Sequence, residues 1–250
     1  MTTLFLVRHA TTAATGRTLG GRTPAPLDDA GRSQAMGAGQ RLAFVPLKAV
    51  YSSPLARAMQ TASAIAASHN LPVVEADGLL EVDYGAWTDK NLAPLTNHKL
   101  WPTIQLRPSL VRFPQGESIR QMQLRAIDAL EVIAANHPRH AVAAVTHGDV
   151  IKAVVAFYVG MPLDMFQRLT VSPASCTVLS MGGGGQATLL RFNDDGPLTP
   201  DRFAVPKKAA QKSATKGTAK TSRTTTRTPR PAVRPTPPRT TPETRAARRG

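Results

Sequence analysis

The apolar run Leu4-Phe5-Leu6-Val7 ends in Arg8-His9, and a second one, Val142-Ala143-Ala144-Val145, ends in Thr146-His147-Gly148. Each run delivers an imidazole at the end of a buried strand. In open α/β sheets ligands sit in the crevice beyond the carboxyl ends of the strands, so the two histidines can meet there although they are far apart in sequence. Between them, Tyr51-Ser52-Ser53-Pro54-Leu55-Ala56-Arg57 reads as a short strand running into a helix, with Arg57 in the first turn at the same rim. A phosphomonoester carries about two negative charges at neutral pH. The planar guanidinium fork matches its oxygens, which makes Arg8 and Arg57 candidate phosphate ligands. A lone strand-end histidine is more often structural, but two of them beside two arginines make phosphoryl chemistry the leading reading.

The elements that must position these residues follow from apolar periodicity. Short apolar runs predict strands near 3–8, 47–51, 72–75, 141–146, 176–181 and 187–192, most of the type buried on both faces of a parallel sheet. A helix over 117–136 is predicted from Ile119, Met122, Ala126, Ile127, Leu130 and Ile133, and it ends before Pro138. Others start at a cap near Asp28 or Asp29, around Pro54, and at Gly148 directly after His147. This alternation predicts an α/β fold, a mostly parallel sheet flanked by helices on both faces. Gly182 to Gly185 read as a hairpin turn, because no strand-loop-helix context surrounds them. His69, His98, His137 and His140 show no partner pattern and read as surface residues.

Five blocks in order resemble the histidine phosphatase superfamily, branch 1, the phosphoglycerate-mutase-like fold, over about residues 1–195. Arg8-His9-Ala10-Thr11-Thr12 resembles its Arg-His-Gly-Glu-Thr signature, and Gly21-Arg22-Thr23-Pro24 with Gly31 and Gln34-Ala35 its next block. Leu80-Glu81-Val82-Asp83-Tyr84-Gly85-Ala86-Trp87 is similar to the segment with the acidic residue, and Phe113-Pro114-Gln115-Gly116-Glu117-Ser118 to the loop opening the next helix. Thr146-His147-Gly148 completes the set, and an actinobacterial group of probable phosphomutases has a similar overall look. Three positions depart from the pattern: Ala10 for glycine, Thr15 for asparagine, and Asp89 where a glycine often closes the turn.

The resemblance implies that His9 is transiently phosphorylated, that His147 hydrogen-bonds the transferred group, and that Glu81 is the general acid, a role needing a carboxyl raised above its usual range. Thr15, Arg22, Tyr84 and Gly148 are the expected substrate contacts. The scheme requires no metal and no cofactor. It implies a phosphomonoester hydrolase acting on a small phosphorylated metabolite, with a phosphoglycerate-mutase-type phosphomutase as the alternative. Cofactor-dependent mutases of the family carry a longer, basic insertion before the Gly-Glu-Ser block, whereas here 35 positions separate Glu81 from Gly116. Of the cations in that stretch, Lys99, Arg107 and Arg112 are candidates for a second acidic group on the substrate, against the plainer reading of a solvated face.

Charge divides the chain unevenly. Residues 1–200 hold 17 Lys+Arg and 14 Asp+Glu, a net of +3, while 201–250 hold 14 and 2, a net of +12. The second segment is rich in Pro, Thr and Arg and poor in large apolar residues, so it is expected to be a disordered tail after a catalytic domain at 1–200. Such a tail offers nonspecific contact to polyanions, and a third reading is a catalytically weak polyanion binder. One cysteine, Cys176, excludes an intrachain disulfide, and neither a signal-peptide pattern nor an apolar run of the ~20 residues needed to span a bilayer is present. A cytoplasmic enzyme is the expectation.

Overall fold

The computed structural model describes residues 1–182 and 186–196. Six strands form one sheet in the order β3-β2-β4-β1-β5-β6. They are β1 (Thr2–Arg8), β2 (Leu47–Ser52), β3 (Val73–Glu75), β4 (Ala141–Thr146), β5 (Cys176–Met181) and β6 (Ala187–Asp194). The first four run parallel, and β5 and β6 close one edge antiparallel. The predicted strands are therefore all present, and the fold is α/β. The tail at 201–250 and three of the four hairpin glycines, 183–185, lie outside the described residues; β5 and β6 pair as a hairpin around them.

Alternation along the central strands builds two cores. Leu4 and Leu6 of β1 with Val142 and Ala144 of β4 face α5 (Ile119–Asn136) and α6 (Gly148–Tyr158), where Met122, Leu130, Ile151 and Val154 are fully or almost fully buried. Val7, Val50, Ala143 and Val145 face the opposite way, onto α1 (Asp29–Leu42) and α2 (Ala56–Ala67). That arrangement requires apolar residues at consecutive strand positions, which is why β4 reads as an unbroken apolar run.

Caps fix where the helices begin. Asp28, not Asp29, caps α1, its carboxylate accepting from Gly31 N at 2.6 Å and Thr11 Oγ1 at 2.8 Å. Ser118 and Gln121 form a capping box, so α5 starts at Ile119 and Glu117 is free for another task. Helix α2 begins at Ala56, two residues beyond Pro54, and Arg57 lies in its first turn as expected.

Two short helices were not foreseen, α3 (Leu92–Leu95) and α4 (Trp101–Leu106), in the excursion between β3 and α5. Here the chain crosses itself backbone to backbone. Gly85 has φ +51°, and a Cβ on it would lie 2.2 Å from Pro114 O, so this position needs glycine. Asp89, one of the departures from the family pattern, has φ +61° and takes the left-handed role of a glycine, with Thr23 Oγ1 donating to its carboxylate at 2.8 Å. Ala10 carries no positive φ and is fully buried, so alanine there meets no backbone penalty.

Ala174 is a different case, an alanine at φ +58° whose N–H donates to Arg8 O at 3.0 Å and His9 O at 3.4 Å. The left-handed region costs an L-residue about 1–2 kcal/mol, partly offset by the extra freedom glycine has when unfolded. Ala174→Gly is therefore expected to stabilise the protein by about 1 kcal/mol, read as a higher urea midpoint. A lower midpoint would show that this backbone does not hold the strained geometry.

Candidate active site

Parallel pairing of β1 with β4 puts Arg8 in register with Thr146, and His9 N–H donates to Thr146 O at 2.9 Å. Both chains then leave the sheet at one point, so the His9 and His147 rings lie 5.0 Å apart. Both rings are buried, His9 at 7% and His147 at 0% exposure. Arg57 comes in from α2 on the far side of β4 and joins them: Nε donates to His9 Nε2 at 3.2 Å, and Nη2 lies 3.4 Å from His147 Nδ1. Nη2 also donates to Gly21 O at 2.6 Å and Nη1 to Thr23 O at 2.8 Å.

These partners settle the tautomers. His9 Nδ1 lies 2.7 Å from the carbonyl of Ala10, which can only accept, so the proton is on Nδ1 and the lone pair on Nε2. Arg57 facing His147 Nδ1 puts that ring's proton on Nε2, which donates to Ser53 Oγ at 2.8 Å. Burial, then the Arg57 charge, lowers His9 to about 3, and burial with His9 and Arg57 holds His147 well below the ordinary histidine value. Both imidazoles are neutral at physiological pH. Arg8 Nη1 donates to Val171 O at 2.6 Å, while its buried Nε has no partner among the described residues.

Glu81 closes the same cleft of about 390 Å³. It is 9% exposed; one oxygen accepts from Val82 N at 3.0 Å and the other is 4.0 Å from His147 Nδ1. Burial, reinforced by the Asp149 charge, raises its pKa to about 7. Its backbone is clamped from behind, Arg125 donating to Leu80 O at 2.7 Å and Glu81 O at 2.9 Å while also pairing with Glu117.

Thr15, Tyr84 and Gly148 line the cleft with Arg8, His9 and Arg57. Thr15 Oγ1 accepts from Thr12 N at 2.9 Å, and Gly148 opens α6 against the Arg8 side chain. Arg22 is a correction. It does not line the cleft, because its guanidinium turns to Glu117 at 3.3 Å, Asp83 at 3.7 Å and Glu81 O at 3.4 Å, so it braces the acid segment from outside. Lys99, Arg107 and Arg112 are exposed and do not line it either. Two of the four remaining histidines have partners: His98 packs edge-on against Trp87, and His137 Nε2 meets Tyr51 OH at 3.0 Å. His69 is half-buried and His140 is exposed.

Sequence reasoning missed Asp149 and Lys152, which also line the cleft and pair at 2.8 Å. Their signal was present, since the first turn after His147 must face the same space and residues three apart share a helix face. Arg125 left no such trace, because its partners are distant backbone carbonyls.

Residues 4–195 match the histidine phosphatase superfamily (branch 1), and the chain belongs to that family. It is 31% identical over 188 residues to phosphoserine phosphatase 1 of Hydrogenobacter thermophilus, covering 72% of this chain and 87% of that one. It is 29% identical over 183 residues to the probable phosphoglycerate mutase GpmB of Erwinia tasmaniensis, covering 70% and 83%. Among solved structures it is similar to Bacillus stearothermophilus YhfR, with a TM-score of 0.73, 30% identity, and 78% and 98% of the two chains covered.

Neutral burial of the histidines links stability to pH. Unfolded, each titrates near 6.5; folded, His9 does so at about 3 and His147 also lower. The unfolded state therefore binds more protons below 6.5, and stability is lost as pH falls, by up to about 1.4 kcal/mol per unit for each histidine. Glu81 works in the opposite sense between its unfolded value of 4.5 and about 7, offsetting one histidine there. His9→Asn is expected to flatten the loss of stability between pH 6 and 4, measured by urea melts. An unchanged slope would contradict a neutral buried His9.

Proposed function

We propose that this chain is a phosphomonoester hydrolase that works through a phosphohistidine on a small phosphorylated metabolite. The observation that carries the reading is His9: its Nδ1 proton is committed to Ala10 O, so the lone pair is on Nε2, beside the Arg57 guanidinium in a cleft that Arg8 also lines. In the first step Nε2 attacks phosphorus, the phosphorus–oxygen ester bond breaks, and the departing alkoxide takes the Glu81 proton. Arg8 and Arg57 hold the equatorial oxygens, with the α6 amino terminus at Gly148 as a further ligand, while neutral His147, whose Nδ1 carries a lone pair, orients Arg57 from behind. In the second step water attacks phosphorus, the phosphorus–nitrogen bond breaks, and the Glu81 carboxylate recovers a proton from the water. Thr15 and Tyr84 are proposed to line the leaving-group side.

The relative named as a probable phosphoglycerate mutase favours a second reading, in which a phosphorylated product rather than water takes the group from His9. A screen of phosphomonoesters in the presence of a chelator, scoring free phosphate and 3-phosphoglycerate isomerisation separately, divides the two. Phosphate release without isomerisation is expected, and isomerisation without release would overturn hydrolysis.

His9→Ala is expected to abolish turnover and to prevent labelling of the protein by a phosphorylated substrate. Glu81→Gln is expected to slow alkyl esters about 10²-fold or more and aryl esters far less, because only alkoxides need a delivered proton. Equal losses on both would remove Glu81 from the acid role.

Among the described residues no helix is long and apolar enough to cross a membrane. A single cysteine supports a cytoplasmic setting, and the +12 charge of residues 201–250 supports a polyanion contact separable from catalysis. Deleting 206–250 is expected to leave the melting temperature and the rate on a small ester nearly unchanged while abolishing salt-sensitive binding to polyphosphate. A much lower melting temperature would make the tail part of the fold.

A further inference from the structure

The cleft holds a second carboxylate that the proposed reaction does not use. Asp149 stands in the first turn of α6, two residues after His147, and is gripped on both oxygens: Lys152 Nζ lies 2.8 Å from Oδ1, and Tyr84 OH donates to Oδ2 at 3.1 Å. Lys152 is itself fixed, donating to Gln167 Oε1 at 2.9 Å and lying 4.9 Å above the Phe166 ring. This is more apparatus than an acidic residue in a first helical turn requires, since the helix dipole alone would favour it there.

We propose that Asp149, held by Lys152 and Tyr84 in the wall of the cleft, is a positioning residue for Glu81, its fixed negative charge keeping on that carboxyl the proton destined for the leaving oxygen. The proposal rests on the reading of Glu81 as the general acid.

Two carboxyl groups line one cleft and differ in their partners. Burial disfavours the charge on Asp149, but Lys152 and the Tyr84 hydroxyl overcome it and hold that carboxyl below its usual range. Among the described residues Glu81 forms no ion pair with a lysine or arginine, and one backbone N–H bonds to its carboxylate. The groups acting on it are His147, which is neutral, Arg57 and Arg8, which favour its ionised form, and Tyr84 and Asp149, of which Asp149 opposes ionisation. Burial does most to keep the proton on Glu81, and the Asp149 charge adds to it against the two guanidiniums. Environments that separate two carboxyl groups in this way assign one as the fixed charge and the other as the acid.

The test compares the pH dependence of kcat on glycerol phosphate and on p-nitrophenyl phosphate for the wild type, Asp149→Asn and Glu81→Gln. The alkyl ester should lose rate on the alkaline side as Glu81 deprotonates. In Asp149→Asn that limb should move to lower pH, and a shift of about one unit corresponds to about tenfold less rate near pH 8. The aryl ester should keep its profile.

A uniform loss on both esters with the limb unmoved would make Asp149 merely structural and overturn the proposal. A rise in KM for the alkyl ester alone, with the limb unmoved, would make it a substrate ligand and overturn it equally. If the limb persists in Glu81→Gln, Glu81 is not the acid, and the reading beneath the proposal fails first.

Discussion

Arg57 is a guanidinium 4% exposed, with no carboxylate within ion-pair distance among the described residues, and the rest of the site is arranged around it. Burying an unpaired cation is expensive unless its donors are satisfied. Here the satisfaction comes from neutral acceptors: two backbone carbonyls and two imidazoles. Carbonyls and imidazole nitrogens bond the guanidinium without cancelling its charge, so the cation keeps its attraction for an anion. A carboxylate in their place would neutralise the cleft and leave nothing for a phosphate to gain.

Everything around Arg57 then has a consequence. The imidazoles must stay neutral to accept from it, and their burial together with the cation's own charge keeps them so. His9 is further restricted by Ala10 O, which leaves its one lone pair at the atom nearest Arg57. Thr61 ties the two elements together, its hydroxyl donating to Arg57 O at 2.8 Å and accepting from Ala10 N at 3.1 Å. The helix that carries the cation and the strand that ends at His9 are thus joined by Thr61 as well as by Arg57 itself. The α/β sheet supplies the rest, because parallel β1, β4 and β2 end at one edge and point their following residues into one space.

The strands and main helices were legible because they are apolar runs and amphipathic stripes, which local sequence encodes directly. Arg8, His9, Arg57 and His147 were legible for the same reason, each sitting at the end of such an element. The excursion over 76–117 was not. It holds together through crossing backbones at Gly85 and Gly116 and through Arg125 reaching the carbonyls of Gly78, Leu80 and Glu81, contacts that join distant positions and leave no periodicity. Arg22 misled for a related reason. Its place in a block beside Gly21 suggested the cleft, but the acids that claim it, Asp83 and Glu117, come from two other segments. Asp89 shows the converse, a departure from a family glycine whose backbone still adopts the conformation glycine would give.

The protonation pattern gives the cleft a charge that suits its ligand. Arg8, Arg57 and Lys152 are cationic and Asp149 is anionic, while His9, His147 and, below about pH 7, Glu81 are neutral. The balance is two positive charges, the complement of a phosphomonoester dianion. Were Glu81 ionised before the ester arrived, the cleft would fall one charge short and Glu81 would have no proton to give. Were His9 protonated, its lone pair would be lost and the cleft would carry one charge too many. Binding strength and chemical competence therefore depend on the same condition, that burial keeps three titratable groups uncharged among groups that stay charged, and this condition sets the pH range over which such a site can work.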